Sequence, residues 1–395
     1  GETLTNVAYC NAEDANTAIA TSRATFESGV WSRMAPTDRK MILVRWAELV
    51  EKHSDEIALL ETLDVGKPIS DTLNVDVGSA VRTIRWSGEA IDKIYDEITP
   101  TSSDCLALVT REALGVVAAI VPWNFPLSTT AWKLAPSLAT GNSVILKPAS
   151  NTPLSALRIA DLAAEAGLPD GVLHVLPGSG GSLGQHLATH MDIDGMTFTG
   201  STPVGKQLMK YSGQSNLKRT FLELGGKSPN IVFADANLEK AASSAALAVY
   251  WNGGQTCTAG TRLIVEESIL DDFLARVIEE SKAWMPGNPM DPATVMGPMI
   301  DAAQCKTVCD YVAIGQEEGA ELVFGGATTM ESTGGHYHEP TIFTGVSNDM
   351  RIAQEEIFGP VLSVLSFKTA EEAVQIANDS IYGLAGAVWS RDINT

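Results

Sequence analysis

The residues with the clearest chemical potential lie in G253GQTCTAGT261, where Cys257 is flanked by threonines and small residues, with Gly254 and Gly260 close by. That composition suits a tight loop, and we expect the loop to feed a helix. Backbone N–H groups there would favour the thiolate and stand ready for an oxyanion on a carbonyl attacked by sulfur. The competing reading is a buried structural thiol, the common fate of an intracellular cysteine; the small, hydrophilic neighbours count against it. In L222ELGGKSPN230, Glu223 follows the apolar run TFL and precedes two glycines, where a strand ends and a loop turns. A carboxylate at such a strand end can act as a base toward water, although alone it reads as a solvated loop acid. In V121PWNFPL127 two prolines fix the backbone around Asn124, aiming one amide as an oxyanion hole requires; alone it reads as a turn residue.

Other segments offer ligand contacts. Lys147, in K147PAS150, closes a strand where cofactor hydroxyls or phosphates can be reached, and F198TGSTPVG205 carries Gly200 and Gly205 into a helix start suited to a pyrophosphate. The latter is not G-x-G-x-x-G, and G178SGGSLG184 is a closer but equally weak look-alike. His186 and His190 are four apart without the Glu of H-E-x-x-H, and His336 and His338 lack a third ligand, so no metal is expected. Cys305 and Cys309 share a helix face and read as packing residues.

The elements that must position these residues follow from hydrophobic period. Residues 13–28, 37–66 and 71–95 read as three helices; in the second, Ile42, Leu43, Trp46, Leu49 and Val50 form one apolar face, Asp38 is the expected N-cap, and Gly66 with Pro68 ends it. An extended segment over Thr99–Arg111 leads into alternating strands and helices: strands at 114–120, 142–147, 171–176 and 195–200, helices at 128–140, 153–167, 182–190 and 202–212. That alternation specifies a parallel sheet with helices on both faces. A second series has strands at 231–234, 262–267 and 361–367 and helices at 238–250, 268–283 and 301–318, with a domain boundary near 225–230.

The 395 residues, 45% apolar, exceed what one core usually supports. A formal charge of -21 argues against nucleic acid or anionic membrane as a partner and suits an abundant soluble protein. The opening GETLTNVAYC has no basic start or apolar core, so no signal peptide is read there, and the run Leu114–Val121 is too short to span a bilayer. Five scattered cysteines form no disulfide framework, pointing to the cytoplasm.

Taken together, PWNFP, KPAS, FTGS, LELGGKSPNIV, GQTCTAG and E355EIFGPV361 stand in the order and approximate spacing of the aldehyde dehydrogenase superfamily, which the chain resembles over essentially its whole length. Finer similarity, in RWAELVEKHSDEIALLETLDVGKPI, AIDKIYDEITPT and RIAQEEIFGPVLSV, resembles the bacterial γ-glutamyl-γ-aminobutyraldehyde dehydrogenases of putrescine breakdown. The resemblance implies an α/β fold: a Rossmann-like dinucleotide-binding domain (1–94 and 114–225), oligomerisation strands (95–113) and an α/β catalytic domain (226–395). It implies Cys257 as catalytic thiol, Glu223 as general base and Asn124 as oxyanion donor. Lys147, Ser150, Gly200, Ser201, Trp123 and Glu356 are implied at the cofactor, with Lys147 on the adenosine ribose and Glu356 on the nicotinamide ribose; Trp132, Thr129 and Ser128 are implied in the substrate tunnel.

The implied enzyme oxidises an aldehyde through a Cys257 thiohemiacetal and thioester, uses NAD or NADP, and forms a homodimer or homotetramer. Its implied substrate is an ω-amino or γ-glutamyl-amino aldehyde. Succinate semialdehyde is the nearest specificity alternative, since KPAS is also found in that branch. Thioester transfer to CoA is opposed by Glu223, and a non-catalytic structural protein need not keep Cys257, Glu223 and Asn124 together. Many NAD-dependent members carry Glu where this chain has Ser150, so the preference between NAD and NADP is left open. Family members continue past the position of Thr395 with the rest of the catalytic domain, a P-F-G-G segment near the tunnel and a strand completing a neighbour's sheet, and they begin before Gly1.

Overall fold

The computed structural model describes residues 3–394. They form two compact units, one of residues 3–65 and 71–223, the other of residues 66–70 and 224–394.

The first unit opens with α1 (Ala12–Ser28), started by an Asn11–Asp14 capping box and stopped at Gly29 with φ +80°. Next come α2 (Pro36–Lys52) and α3 (Ser54–Val65). The single helix expected over 37–66 is therefore two, broken at His53, and it starts earlier: Pro36 takes the first helical position behind Ala35, which leaves Asp38 in the first turn instead of at the N-cap. Proline at that position forfeits no hydrogen bond, since the first amides of a helix lack intrahelical acceptors anyway. The third expected helix is also composite, running through α4 (Ile69–Asp71), a π-helical stretch Thr72–Val77 and α5 (Gly78–Ala90). Trp31 and Trp46 are buried and donate their indole N–H groups to the carbonyls of Leu138 (3.1 Å) and Ile159 (2.8 Å), tying these helices to those that flank the sheet. The extended segment expected over 99–111 is a two-stranded antiparallel ribbon that starts two residues earlier, β1 (Glu97–Thr99) and β2 (Ala107–Val109), with Ile98, Leu106, Leu108 and Val109 exposed.

Strand and helix then alternate: β3 (Val116–Ile120), α6 (Pro126–Ala139), β4 (Ser143–Lys147), α7 (Leu154–Glu165), β5 (Leu173–Val175), α8 (Ser182–Thr189), β6 (Gly195–Thr199), α9 (Thr202–Gly213) and β7 (Arg219–Glu223). The sheet is parallel in the order β5-β4-β3-β6-β7. β3 and β4 are buried at every position, which is why they read as continuous apolar runs rather than alternating ones. The chain lays β3, β4 and β5 outward in one direction, returns to the other side of β3 for β6, and so creates a switch point between the carboxyl ends of β3 and β6. Open α/β sheets bind ligands at such a crevice.

The second unit contains β8 (Pro229–Val232), α10 (Leu238–Tyr250), β9 (Arg262–Glu266), α11 (Leu270–Ser281), α12 (Ala302–Glu317), β10 (Glu321–Phe324), β11 (Thr328–Thr329), β12 (Tyr337–His338), β13 (Thr341–Thr344), α13 (Arg351–Gln354), β14 (Val361–Phe367), α14 (Ala370–Asn378) and β15 (Ala387–Trp389). Its main sheet has the order β10-β13-β14-β9-β8-β15, parallel except for β10. The strand period of two divides the core cleanly. Ile231, Ile264, Phe343, Val361 and Leu365 pack on one face with α12 and α13, while Val232, Leu263, Val265, Ile342, Leu362 and Val364 pack on the other with α10 and α11. Cys305 belongs to the first of these cores, as its packing reading required. Among the described residues, no helix is long and apolar enough to cross a membrane, and no group of three or more His, Cys, Asp or Glu is placed to hold a metal ion.

Candidate active site

In the first unit the candidate residues cluster at the carboxyl ends of the parallel strands. The segment after β3 carries Trp123 and Asn124. Asn124 is 5% exposed, and the turn that holds it is pinned on its far side at the start of α6, where the Leu127 amide donates to Glu61 Oε1 at 3.2 Å. Thr129 adds a second pin, its amide and hydroxyl both donating to the Phe125 carbonyl at 2.9 and 2.6 Å. Pro126 occupies the first turn of α6 and fixes the entry angle. The amide of Asn124 thus sits in a preorganised turn, the property that an oxyanion donor needs.

Glu223 is the last residue of β7, paired in register with Thr199 of β6, and is partly exposed. Its carbonyl accepts the Gly200 amide at 3.1 Å, and the Gly205 amide is spent on the Ser201 carbonyl at 3.0 Å. Those two glycine amides are therefore not available to an anion, and a pyrophosphate would have to be met by the residues between them. Ser201 stands at the N-cap of α9 with no side-chain capping bond of its own.

Lys133 was not singled out from the sequence. It projects from α6, is buried, and donates to Thr197 Oγ1 on β6 at 3.0 Å. Burial pushes its ammonium down to about 8, and the negative charge of Glu223 works in the opposite direction. A signal was present: in PLSTTAWKLAPSLA, Lys133 is the only charged side chain of an otherwise uncharged helix.

Lys147 ends β4 and is likewise buried. Its ammonium donates to the Pro148 carbonyl at 2.9 Å, and among the described residues no carboxylate lies within ion-pair distance of it. Burial alone lowers it to about 8. A buried cation facing only a neutral carbonyl at the carboxyl edge of a parallel sheet fits the hydroxyls or phosphates of a dinucleotide. Ser150 is exposed and donates its hydroxyl to the Gly178 carbonyl at 2.8 Å, so its oxygen is left to accept from a ligand, not to donate.

The tunnel candidates differ among themselves. Ser128 and Thr129 are buried; Ser128 donates to Asp76 Oδ1 at 3.1 Å and Thr129 is committed as described. Trp132 is 54% exposed and offers an aromatic surface.

In the second unit, Cys257 follows α10 through a single 3-10 turn, Trp251–Gly254, and precedes β9. The expected helix after the cysteine is absent, so no helix dipole acts there. What replaces it is a backbone held in an uncommon form. Asn252, Gly253 and Gly254 have φ of +53°, +62° and +70°, successive left-handed residues. The turn is clipped by Gln255 Nε2 donating to the Asn252 carbonyl at 3.0 Å and by Gln255 Oε1 accepting the Ile300 amide at 2.9 Å. Gly260 returns the loop to α10, its amide donating to the Ala248 carbonyl at 3.0 Å.

Two glycines are required by close approach. A Cβ on Gly254 would lie 2.2 Å from the Gly359 carbonyl oxygen, and one on Gly226 would lie 2.6 Å from the carbonyl oxygen of Cys257. The GGKSPN segment therefore supports the Cys257 loop from below. Glu356 docks on the same segment: Gly226 N–H donates to Glu356 Oε1 at 3.1 Å. Burial raises the Glu356 carboxyl, opposed by that amide and by the charge of Lys227.

Known proteins complete the picture. The aldehyde dehydrogenase family matches residues 1–395. The NADP/NAD-dependent aldehyde dehydrogenase PuuC of Escherichia coli (strain K12) is 52% identical over 392 residues, 99% of this chain and 78% of that protein. A solved indole-3-acetaldehyde dehydrogenase complexed with NAD+ is 60% identical with a TM-score of 0.99, covering 100% of this chain and 80% of that one. A γ-glutamyl-γ-aminobutyraldehyde dehydrogenase from Burkholderia cenocepacia J2315 is 51% identical with a TM-score of 0.98, again over 100% of this chain and 80% of that one. This chain belongs to the aldehyde dehydrogenase family and is an NAD(P)-dependent oxidoreductase of aldehydes.

Proposed function

We propose that the protein oxidises an amino- or γ-glutamyl-amino aldehyde to its carboxylate through a covalent Cys257 intermediate. Cys257 thiolate adds to the aldehyde carbon, and the oxygen, now an anion, is held by the Asn124 amide and the Cys257 backbone N–H. The bound dinucleotide supplies the acceptor for the hydride that leaves this carbon. Cys257 then carries the acyl group as a thioester. Glu223 takes a proton from water, the resulting hydroxide attacks the thioester carbonyl, and the carboxylate departs as the thiol is restored. Addition of the thiolate turns the planar carbonyl carbon into a tetrahedral one bearing an oxyanion, from which hydride can leave. The supporting observation with most weight is the carboxylate of Glu223, the partly exposed last residue of β7 at a strand end, which favours release of the acyl group to water over its transfer to CoA.

On this reading Lys147 and Ser150 receive the adenosine ribose, Gly200 and Ser201 flank the pyrophosphate, Trp123 lies along the cofactor and Glu356 accepts the nicotinamide ribose. Trp132 lines the substrate approach, with Ser128 and Thr129 behind it. The protein is a cytoplasmic homodimer or homotetramer, with the exposed β1–β2 ribbon pairing subunits. A second substrate class, arylacetaldehydes, is favoured by the 60% identity to the indole-3-acetaldehyde enzyme and by the exposed face of Trp132.

The deciding experiment is steady-state reduction of NAD and NADP with γ-glutamyl-γ-aminobutyraldehyde, aminobutyraldehyde, indole-3-acetaldehyde and succinate semialdehyde. The highest kcat/KM belongs to the γ-glutamyl aldehyde if the branch is right. Preference for the indole or succinate compound overturns the branch and leaves the mechanism standing. Ser150→Glu is expected to shift the cofactor ratio toward NAD, since a carboxylate there repels a 2′-phosphate.

A further inference from the structure

Two carboxylates that the mechanism above does not use lie fully buried beside the start of α6. Glu61 belongs to α3 and Asp76 to the π-helical stretch Thr72–Val77, and both are in the same unit as α6. The hydroxyls of Thr62 and Thr72, also buried, bond at 2.8 Å and tie these two segments together. Glu61 Oε1 accepts the Leu127 amide at 3.2 Å, and Asp76 Oδ1 accepts the Ser128 hydroxyl at 3.1 Å. Leu127 and Ser128 are the second and third residues of α6, so both acids meet its N-terminal end. Backbone amides there lack intrahelical acceptors, and the helix dipole favours negative charge. A charge taken out of water is costly, and neutral side chains would fill the same space at less cost. What the two acids add over neutral packing is a fixed position for the start of the helix.

That position bears on Asn124, because the turn that carries it leaves β3 and enters α6 anchored at both ends. Upstream, the Val121 amide donates to the Lys147 carbonyl at 3.2 Å; downstream, the Leu127 amide is held by Glu61. Between these anchors Pro122 and Pro126 stiffen the backbone. The carbonyl of Phe125, the residue next to Asn124, is held by the Thr129 amide and hydroxyl at 2.9 and 2.6 Å. A shift at the start of α6 is therefore passed to Asn124 through a short, stiff segment. Misplacing a reacting or stabilising group by about 1 Å costs on the order of a hundredfold in rate.

We propose that Glu61 and Asp76 are positioning residues for the oxyanion donor, together fixing the start of α6 and, through it, the Asn124 turn. The proposal rests on the oxyanion reading of Asn124. It is tested by following single-turnover hydride transfer as NADH formation after rapid mixing, with NADH titration and thermal unfolding recorded for each variant. Glu61→Met, which offers the Leu127 amide no acceptor, slows the step about tenfold with NADH affinity unchanged. Glu61→Gln keeps an acceptor in place and stays close to the wild-type rate, whatever its unfolding temperature. Glu61→Asp is charged but a methylene too short to reach the amide; it slows the step as methionine does and decides the matter if Glu61→Met does not fold. Asp76→Leu and Asp76→Asn repeat the contrast at the Ser128 hydroxyl. In an Asn124→Ala background, Glu61→Met or Glu61→Asp adds less than about twofold, since the donor it positions is gone. Purely structural acids would instead lower the unfolding temperature and slow the step alike in both backgrounds. That result, or a wild-type rate in Glu61→Asp, overturns the proposal. Undiminished hydride transfer in Asn124→Ala alone removes the oxyanion reading, and this proposal with it.

Discussion

Replacing Lys133 by methionine should make the protein more stable and less active. The ammonium is buried, and its fall from 10.5 to about 8 measures the cost of carrying charge there. At about 1.36 kcal/mol for each pH unit, that cost is roughly 3 kcal/mol at neutral pH. Methionine removes it but leaves Thr197 Oγ1 without the donor it has at 3.0 Å, a loss of about 1 kcal/mol. The net gain is therefore about 2 kcal/mol. The sign with pH follows from proton binding. Between about 8 and 10.5 the unfolded lysine holds a proton that the folded one has released, so wild-type stability rises across that window and the penalty is fully present below it. The advantage of Lys133→Met should be largest near neutrality and vanish as the pH rises through the window. Urea unfolding of both proteins near pH 7 and pH 10, under reductant, measures it, and turnover at neutral pH should fall because the Lys133 charge beside the strand end of Glu223 is gone. A variant less stable than wild type by the same margin at both pH values would refute the reasoning, since the lysine would then be held by favourable contacts and not tolerated for its charge.

Asn124→Ala removes the proposed oxyanion donor, which is buried in a turn pinned by Glu61, and kcat should drop by about a hundredfold to a thousandfold with cofactor affinity unchanged, checked by steady-state kinetics beside NADH titration. Gly226→Ala forces its Cβ onto the Cys257 carbonyl oxygen, 2.6 Å away, and must displace the Cys257 loop. Single-turnover hydride transfer in that variant should slow far more than its unfolding midpoint falls; equal rates in variant and wild type would show that the loop yields without cost.

Much of the frame was legible because period and burial agree. Leu238–Tyr250 and Val361–Phe367 match their expected limits to the residue, and in β14 the alternation of Val361, Leu362, Val364 and Leu365 between two cores explains why a run apolar at nearly every position is a strand. Boundaries failed where local chemistry competes: Asp38 looked like a cap, yet Pro36 begins the helix, and His53 breaks an apolar face that continues on both sides. The loop of Cys257 was misread because small residues before a cysteine suit a helix start equally well. Its left-handed residues Asn252 to Gly254 are instead pinned by Gln255, which bonds the Asn252 carbonyl and the distant Ile300 amide, and a Cβ on Gly253 or Gly254 would strike Met299 or Gly359. Lys133, Glu61 and Asp76 were passed over for a related reason. Sequence shows a charged residue but not its burial, and it is burial that gives each of them a charge with consequences.

The central claim is a thioester on Cys257 that Glu223 helps water to remove. It is tested most directly by mixing the Glu223→Gln variant with aldehyde and NAD, quenching rapidly, and examining the Cys257 peptide by mass spectrometry. The account predicts a burst of NADH matching the number of subunits and an acyl group of the substrate's mass on Cys257, absent from Cys257→Ala. NADH formation without any adduct on Cys257, or undiminished in Cys257→Ala, would contradict it.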